Sequence, residues 1–333
     1  MRRSRQLGAF LAFGLSAALW AVSPHAVAQD ASSKWPDRPV RFVVPFPAGS
    51  ASDIVARIVA QKLSAHFGQQ FVIDNRSGAS GNIGAETVAR SAPDGYVIGL
   101  ATNSTHGVAA SLSAKLPYNP VTDFAPVSMI GASPYVLAVN PAVPARSVAE
   151  LIALAKSKPK ALSYGSAGTS SLAYLAGELF SSVAGVQLTH VPYRSSAQAV
   201  LDVAGGRIDM QFGTLGPTLE QIRDNQLRAL GVTGAKRIAA LPDVPTLQEA
   251  GLSGYDVELW MAVVMPAATP PDIVARLNKA LREVLTSPDG IAALRTQQME
   301  AEPGTPEALG ERIQSEIAKW RKLATAVGLK EEP

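Results

Sequence analysis

The chain has 333 residues, of which 47% are hydrophobic and 17% are charged, and it contains no cysteine. This length predicts two domains with full hydrophobic cores, and the composition excludes a disordered chain. The absence of cysteine excludes a disulfide scaffold, thiolate metal sites and a cysteine nucleophile.

Residues 1–28 have the pattern of a secretory signal peptide. A basic start precedes an uncharged run from Leu7 to Val22, and Ala26-Val27-Ala28 has small residues at cleavage-site spacing. The run is shorter than the ~20 residues that a membrane span requires. We therefore expect cleavage near Ala28–Gln29 and a periplasmic protein. Without residues 1–28 the chain keeps 27 basic residues against 27 acidic ones, and this balance argues against a nucleic-acid partner.

Short apolar runs alternate with amphipathic segments along the rest of the chain. One amphipathic segment, Ser52–Phe67, has the spacing of a helix. Such alternation predicts an α/β fold with mainly parallel sheets and helices on both faces. The predicted strands are Val40–Val44, Phe71–Ile73, Tyr96–Leu100, Leu188–Val191 and Ile208–Phe212.

Two extended apolar segments, Val127–Asn140 and Tyr255–Met265, are longer than a typical strand. Two crossings between lobes, near residues 133 and 255, would explain them. Domain 1 would then consist of residues 35–133 plus 256–333, with domain 2, residues 134–255, inserted between the two parts. Two sequential domains are the alternative.

The C-terminal part is predicted to be helical. Thr269 with Pro270 and Thr305 with Pro306 each have the pattern of a helix start. An amphipathic spacing of apolar residues follows both pairs.

Catalytic patterns are weak in this sequence. After residue 28 the histidines are His66, expected at a helix end, His190, expected to be structural within a strand, and His106, expected near a site. The G-x-S-x-G motif of serine hydrolases and clustered metal ligands are both missing from the sequence. We therefore expect no enzyme activity, no metal and no cofactor.

Two glycine- and serine-rich segments each join a predicted strand to a helix: the first turn, residues 45–53, and the second turn, residues 164–171. Such turns present backbone N–H groups at the positive end of a helix dipole, where an anion binds. Capping is the alternative function, with Ser50 and Asp53 at capping-box spacing and Thr169 or Ser170 as a helix cap. Arg194 is the cation nearest to a third turn, and we expect it to be solvated.

Several motifs together resemble the tripartite tricarboxylate transporter substrate-binding proteins, also called the Bordetella uptake gene (Bug) family. The resemblance runs from Trp35 to the C-terminal helix. Its motifs are Val43-Val44-Pro45-Phe46-Pro47-Ala48-Gly49, Asp74-Asn75-Arg76-Ser77-Gly78-Ala79-Ser80-Gly81-Asn82-Ile83-Gly84, Ala92-Pro93-Asp94-Gly95-Tyr96, His190-Val191-Pro192-Tyr193 and Leu241-Pro242-Asp243-Val244-Pro245-Thr246.

This resemblance implies a two-lobed, type II periplasmic-binding-protein fold that closes over a small carboxylate. It further implies a monomeric receptor that serves the large and small membrane subunits of a permease. Presentation of the loaded protein to a sensor kinase is the alternative. The implied ligand-binding residues are Phe46, Ala48, Gly49, Ser50, Asp53, Asn103, Ser104, Ser166, Ala167, Gly168, Thr169, Ser170 and Gly213.

The chain departs from the family pattern at three places. It has Gly49-Ser50 in place of a Gly-Gly pair, Arg194-Ser195 in place of Lys-Gly, and Gly213 where many members have Asp. The last difference weakens the case for an amino-acid ligand, although tricarboxylates, dicarboxylates, aromatic carboxylates and amino acids all remain possible.

Overall fold

The computed structural model describes residues 35–112, 115–166, 168, 171–193 and 195–327, so the predicted signal peptide lies outside the described residues. Most strands begin and end within a few residues of the predicted ones. Within the described ranges the strands are β1 (Val40–Val44), β2 (Phe71–Asn75), β3 (Val97–Thr102), β4 (Phe124–Val139), β5 (Ser163–Ser166), β6 (Thr189–Pro192), β7 (Met210–Thr214), β8 (Arg228–Val232), β9 (Glu258–Pro266) and β10 (Glu300–Ala301).

Helices follow most of the strands. A 3-10 turn, Ala79–Gly81, precedes the second helix, and a π-helical turn, Ser104–Val108, precedes the third. The helices are α1 (Ala51–Phe67), α2 (Asn82–Ala89), α3 (Ala109–Leu112), α4 (Val148–Ser157), α5 (Leu172–Ala184), α6 (Ser196–Ala204), α7 (Leu215–Arg223), α8 (Pro271–Thr286), α9 (Pro288–Arg295) and α10 (Pro306–Val327). Among the described residues, no helix has the length and apolar character that a membrane span requires.

The strands lie in the order β2-β1-β3-β9-β4-β7-β5-β6, with β10 and β8 also paired to β4. We call β2, β1, β3, β9, β10 and the start of β4 the first sheet, and the end of β4 with β7, β5, β6 and β8 the second sheet. The pairs β1–β2, β1–β3, β5–β6 and β5–β7 are parallel. The antiparallel pairings among the described residues all include β4 or β9. The predicted α/β class is confirmed.

Strand β4 passes from one sheet into the other. It pairs with β9 as far as Pro134, opposite Glu258, and with β7 from Tyr135, opposite Thr214. Because β9 is antiparallel to both β3 and β4, β4 leaves the first sheet at the edge where β1 and β3 end. Because Thr214 ends β7 opposite Tyr135, the parallel strands of the second sheet end where β4 enters it. The carboxyl ends of both sets of strands therefore lie at one junction.

Each sheet is covered on both faces. In β1, Val40, Phe42 and Val44 belong to one buried cluster and Val43 to another, as expected for alternating side chains. In β4, Leu137 and Val139 belong to a cluster with α5, whereas Val136 and Ala138 belong to a cluster with α7. This double coverage explains why the central strands are apolar at almost every position.

The C-terminal helix α10 packs against both sheets. Leu309 and Ile313 near its start are buried in the first sheet's core with Trp260, whereas Trp320 and Leu323 are buried with residues of the second sheet. The helix therefore ties the two halves of the molecule together.

Of the two predicted C-terminal helix caps, one is present and one is wrong. The Thr305 hydroxyl accepts the Ala308 N–H of α10 at 3.3 Å. The Thr269 hydroxyl instead donates to the Pro266 carbonyl, so it closes the turn after β9 and does not cap α8.

Two helix glycines are expected to respond oppositely to alanine. A Cβ at Gly84 would lie 2.6 Å from the Pro45 Cα and 2.8 Å from the Arg76 carbonyl oxygen, so α2 must shift away from the first turn. We expect Gly84→Ala to lower the free energy of unfolding by about 1–3 kcal/mol.

Gly310 in α10 is the matched control, because a Cβ there would have Pro126 as its nearest neighbour at 3.8 Å. Gly310→Ala should raise the free energy of unfolding by roughly 0.5–1 kcal/mol, since alanine loses less backbone entropy in a helix. Urea denaturation measures both variants, and a stable Gly84→Ala would contradict the close packing of α2 on the first turn.

Candidate functional site

The first turn follows β1 at the junction and is closed by hydrogen bonds of its own. The Ser50 hydroxyl accepts the Asp53 N–H at 3.2 Å and caps α1. Gly49 has a φ of +81°, a backbone conformation that favours glycine. The predicted helix cap at Ser50 is therefore present. The reciprocal bond of a capping box is not formed, because Asp53 accepts the Gly49 N–H whereas the Ser50 N–H bonds to the Pro47 carbonyl. Ala48 and Gly49 are exposed beside the cap.

The Asp53 carboxylate is buried and fully engaged within the protein. Its Oδ2 accepts the Gly49 N–H at 2.8 Å and Arg57 Nε at 2.9 Å, and its Oδ1 accepts Asn75 Nδ2 at 2.9 Å. Asn75 also donates to the Phe46 carbonyl at 3.0 Å, so the same group holds both ends of the turn. Burial alone would raise the pKa of Asp53, but the hydrogen bonds from Arg57, Gly49 and Asn75 keep it below its ordinary value. Asp53 thus shapes the turn from inside.

A strained segment, residues 78–81, lies against the first turn and was not among the predicted site residues. Gly78, Ala79, Ser80 and Gly81 all have positive φ angles, which is costly for Ala79 and Ser80. A Cβ at Gly81 would lie 3.4 Å from the half-buried Phe46 ring, so the segment is in contact with the turn. The family motif from Asp74 to Gly84 contains this segment, and it was the feature of the sequence that could have indicated a place beside the site.

In the second turn, Ser166 and Gly168 lie within the described residues, whereas the predicted ligand residues Ala167, Thr169 and Ser170 lie outside them, as does Arg194. Gly168 has a φ of +96°. Its carbonyl accepts the Ser171 hydroxyl at 2.7 Å and N–H at 3.1 Å.

Ser171 caps the helix that follows the second turn. Its hydroxyl accepts the Tyr174 N–H at 3.2 Å, so Ser171 is the N-cap of α5. Prediction of the cap at Thr169 or Ser170 was wrong by one or two residues.

Asn103 and Ser104 follow β3 and behave differently from each other. The Asn103 side chain is buried, donates to the Glu258 carbonyl at 2.8 Å and accepts the Trp260 N–H at 2.8 Å. It therefore fastens the end of β3 to the start of β9. Ser104, the next residue, is half-buried, and its hydroxyl has no hydrogen-bond partner among the described residues.

Gly213 lies in β7 with no room for a side chain. A Cβ there would be 2.2 Å from the Thr218 hydroxyl oxygen and 2.8 Å from Gln211 Nε2. Both neighbours are buried polar side chains. The space that an aspartate would need at this position is therefore filled by two neutral groups.

The three histidines have different surroundings. His66 lies in the last turn of α1, as predicted. His106, which was expected near a site, is buried against Phe124 and bonded to Thr105 Oγ1 at 2.9 Å. Burial lowers the pKa of His106 to about 3, so it is a neutral packing residue. His190 is half-buried with Nε2 at 2.7 Å from Ser166 Oγ, a contact that its place in an apolar strand did not indicate.

Charged groups gather beside the junction around Glu258. Burial, with the carboxylates of Asp256 and Glu302, raises the pKa of Glu258 to about 7 against the opposing effect of Arg312 and Lys319. This carboxyl lines a cavity of about 770 Å³ between the two sheets. Among the described residues, no group of three metal-ligating side chains occurs here or elsewhere.

Comparison with solved structures places this architecture among known proteins. The Rhodopseudomonas palustris protein MatC with bound malate is 31% identical with a TM-score of 0.75, over 87% of this chain and 99% of that one. The R. palustris protein Rpa4515 with adipate is 40% identical with a TM-score of 0.79, over 88% of this chain and 98% of that one. The family model and the similar structures are those of solute-binding proteins, a class of receptors and not of enzymes.

The family follows from the sequence comparisons. The family model "Tripartite tricarboxylate transporter family receptor" matches residues 55–329, and the chain belongs to that family. Protein BugT of Bordetella pertussis is 35% identical over 297 residues, which cover 89% of this chain and 91% of BugT. The predicted family is confirmed, and its members include periplasmic binding proteins.

The Asp53 network generates a prediction about stability and pH. An amide at this position has one acceptor oxygen, so it cannot replace the three hydrogen bonds of the carboxylate. We expect Asp53→Asn to lower the free energy of unfolding at pH 7 by about 1.5–3 kcal/mol, the usual range for hydrogen bonds to a charged group.

The effect of Asp53→Asn should also depend on pH. The pKa of Asp53 in the folded protein is below the ordinary value of 3.8, so its carboxylate adds stability above that pH and loses it as the pH falls through the folded pKa. The difference between variant and wild type should therefore shrink below pH 3.8. Urea denaturation across pH is the measurement, with the exposed Asp243→Asn as control. A pH-independent difference would argue against this network.

Proposed function

We propose that this chain is a periplasmic receptor that binds a small carboxylate at the junction of its two sheets. We further propose that it delivers the ligand to the two membrane subunits of a tripartite tricarboxylate-type permease. The observation that carries the proposal is the strand register, which brings the first and second turns to one junction. Ligands of α/β proteins collect at such strand ends. The malate and adipate of two relatives support a carboxylate ligand.

The anion would be held by backbone N–H groups and hydroxyls. Helices α1 and α5 both start at the junction, and the positive ends of their dipoles favour a negative charge there. Ser104 adds a half-buried hydroxyl with no hydrogen-bond partner among the described residues. Such a site needs no clustered lysines or arginines, in line with the balanced charge of residues 29–333.

The same site disfavours ligands with an ammonium group. Asp53 is the one acidic residue in the two turns, and its oxygens are already engaged with Gly49, Arg57 and Asn75. Gly213 and its buried neighbours are neutral. An amino acid would bring a positive charge to a site with no free carboxylate in either turn. We therefore propose a di- or tricarboxylate in preference to aspartate or glutamate.

The proposed function is tested by titration of residues 29–333 with adipate, malate, citrate, benzoate and aspartate. At least one of the first three should bind measurably by calorimetry and raise the melting temperature, with aspartate weaker than malate. A ligand at 100 times its Kd adds ~2.7 kcal/mol of stability, so binding is easy to detect. If none of these carboxylates binds, the proposed function is wrong.

Two glycine variants locate the site in the same titration. Gly168 and Gly251 have φ angles of +96° and +98°, and both have open space where a Cβ would lie. Alanine at either position is strained by roughly 1–2 kcal/mol. Only Gly168→Ala should also weaken carboxylate binding, because Gly251 lies outside the two turns. If Gly168→Ala and Gly251→Ala bind the carboxylate with equal affinity, the second turn is not part of the binding site.

We also propose that residues 35–133 with 256–333, and residues 134–255, are two lobes that close on the ligand. The change of partners of β4 between Pro134 and Tyr135 supports hinge points at the two crossings. The proposal includes removal of residues 1–28 at export and a monomeric mature receptor.

Lobe closure predicts a change in solution scattering. A ligand shifts such an equilibrium only through tighter binding to the closed form, and here that form brings both turns onto one carboxylate. The radius of gyration should fall on addition of a saturating carboxylate, and sodium chloride at equal ionic strength is the control. An unchanged radius with a bound ligand would indicate a rigid, preformed site.

A further inference from the structure

A short chain of polar groups runs behind the second turn and starts at His190. The register pairs His190 of β6 with Tyr164 of β5, and Ser166 is two residues further along β5, on the same face. The ring lies near Tyr164 and Tyr174, with centroids 5.1 and 4.7 Å away. These contacts limit how far the imidazole can turn, and its Nε2 lies 2.7 Å from Ser166 Oγ.

The Ser166 hydroxyl has a single proton to give and two neighbours. One is His190 Nε2, and the other is the Gly168 carbonyl oxygen at 3.1 Å. A carbonyl can only accept, whereas an imidazole nitrogen donates or accepts according to its tautomer. Both contacts are hydrogen bonds only when His190 Nε2–H donates to Ser166 and Ser166 donates to Gly168.

This order of donors determines which groups of the second turn are already used in hydrogen bonds within the protein. The Gly168 carbonyl also accepts the N–H and the hydroxyl of Ser171, the N-cap of α5. Three donors therefore hold the carbonyl of Gly168, whose φ is +96°. In this arrangement the Ser166 proton is directed at the Gly168 carbonyl.

We propose that His190, as the Nε2–H tautomer, is a positioning residue for ligand binding, acting through Ser166 to hold the Gly168 carbonyl of the second turn. The inference rests on the proposed function, in which that turn contacts the carboxylate. Burial of the half-buried ring lowers the pKa of His190, which keeps it neutral at pH 7 with one protonated nitrogen. The nearest carboxylate on the packed helix, Glu178 of α5, is engaged with the Tyr164 hydroxyl at 2.6 Å.

The first arm of the test needs no ligand. In residues 29–333 labelled with ¹⁵N-histidine, the shifts of three rings, His66, His106 and His190, are followed at pH 7. We expect His190 to be protonated on Nε2, and its Nε2–H proton to exchange faster in Ser166→Ala. A ring protonated on Nδ1, or one insensitive to Ser166→Ala, would overturn the inference.

The second arm measures the Kd for adipate by calorimetry. His190→Phe keeps an aromatic ring but has no donor, whereas His190→Gln keeps an N–H near the position of Nε2. We expect about a tenfold weaker Kd for His190→Phe and for Ser166→Ala, the loss of roughly one hydrogen bond. His190→Gln should stay within about threefold of wild type.

Two further variants separate positioning from general damage. The double variant His190→Phe/Ser166→Ala should bind no more weakly than either single variant, because both remove the same chain of donors. The matched control His66→Phe, at the end of α1, should leave the Kd unchanged. The inference is wrong if the losses of affinity in the two single variants add in the double variant, or if His190→Phe binds with the Kd of wild type. If wild type does not bind adipate, the adipate expectation fails, and the ring shifts still decide whether His190 Nε2–H donates to Ser166.

Discussion

The pairing of one long strand with two sheets is the constraint on which the rest of the molecule depends. Strand β4 is hydrogen-bonded to β9 in the first sheet and to β7 and β8 in the second, so the direction of each sheet is fixed relative to the other. Thr233 stabilises the place where β4 changes sheets. Its hydroxyl accepts the Tyr135 N–H of β4 and donates to the Val257 carbonyl just before β9. From this geometry follow the single junction and the position of both turns.

Hydrogen bonds to side chains hold part of the backbone in both turns, but different groups make them. In the first, a buried carboxylate gathers donors from Gly49, Arg57 and Asn75. In the second, the Gly168 carbonyl gathers donors from Ser166 and Ser171. In both, side-chain polar groups hold one backbone group in place, the Gly49 N–H in the first turn and the Gly168 carbonyl in the second. A backbone group that is already held in place loses less entropy on binding, which would favour affinity at the proposed carboxylate site.

Local features of the fold could be predicted from the sequence, and contacts between distant residues could not. The strands β1, β4 and β9, and the Ser50 cap of α1, depend on neighbouring residues and were predicted. Asn103 was expected in the site, but its bonds to Glu258 and Trp260 join residues about 155 positions apart. The contact between Ser166 and His190 likewise depends on the pairing of β5 with β6. Sequence spacing alone contains no signal for such bonds.

The packing of α10 has a consequence for the order in which the protein folds. Strand β3 has its antiparallel partner in β9, about 160 residues later, and the core of the second sheet includes Trp320 and Leu323 of α10. A nascent chain that ends before these residues has an incomplete first sheet and an open second core. Its stable contacts are separated by long stretches of sequence, a topology that slows folding. We therefore expect neither half to mature as an independent unit during synthesis, and the native state to form only after α10 has been made.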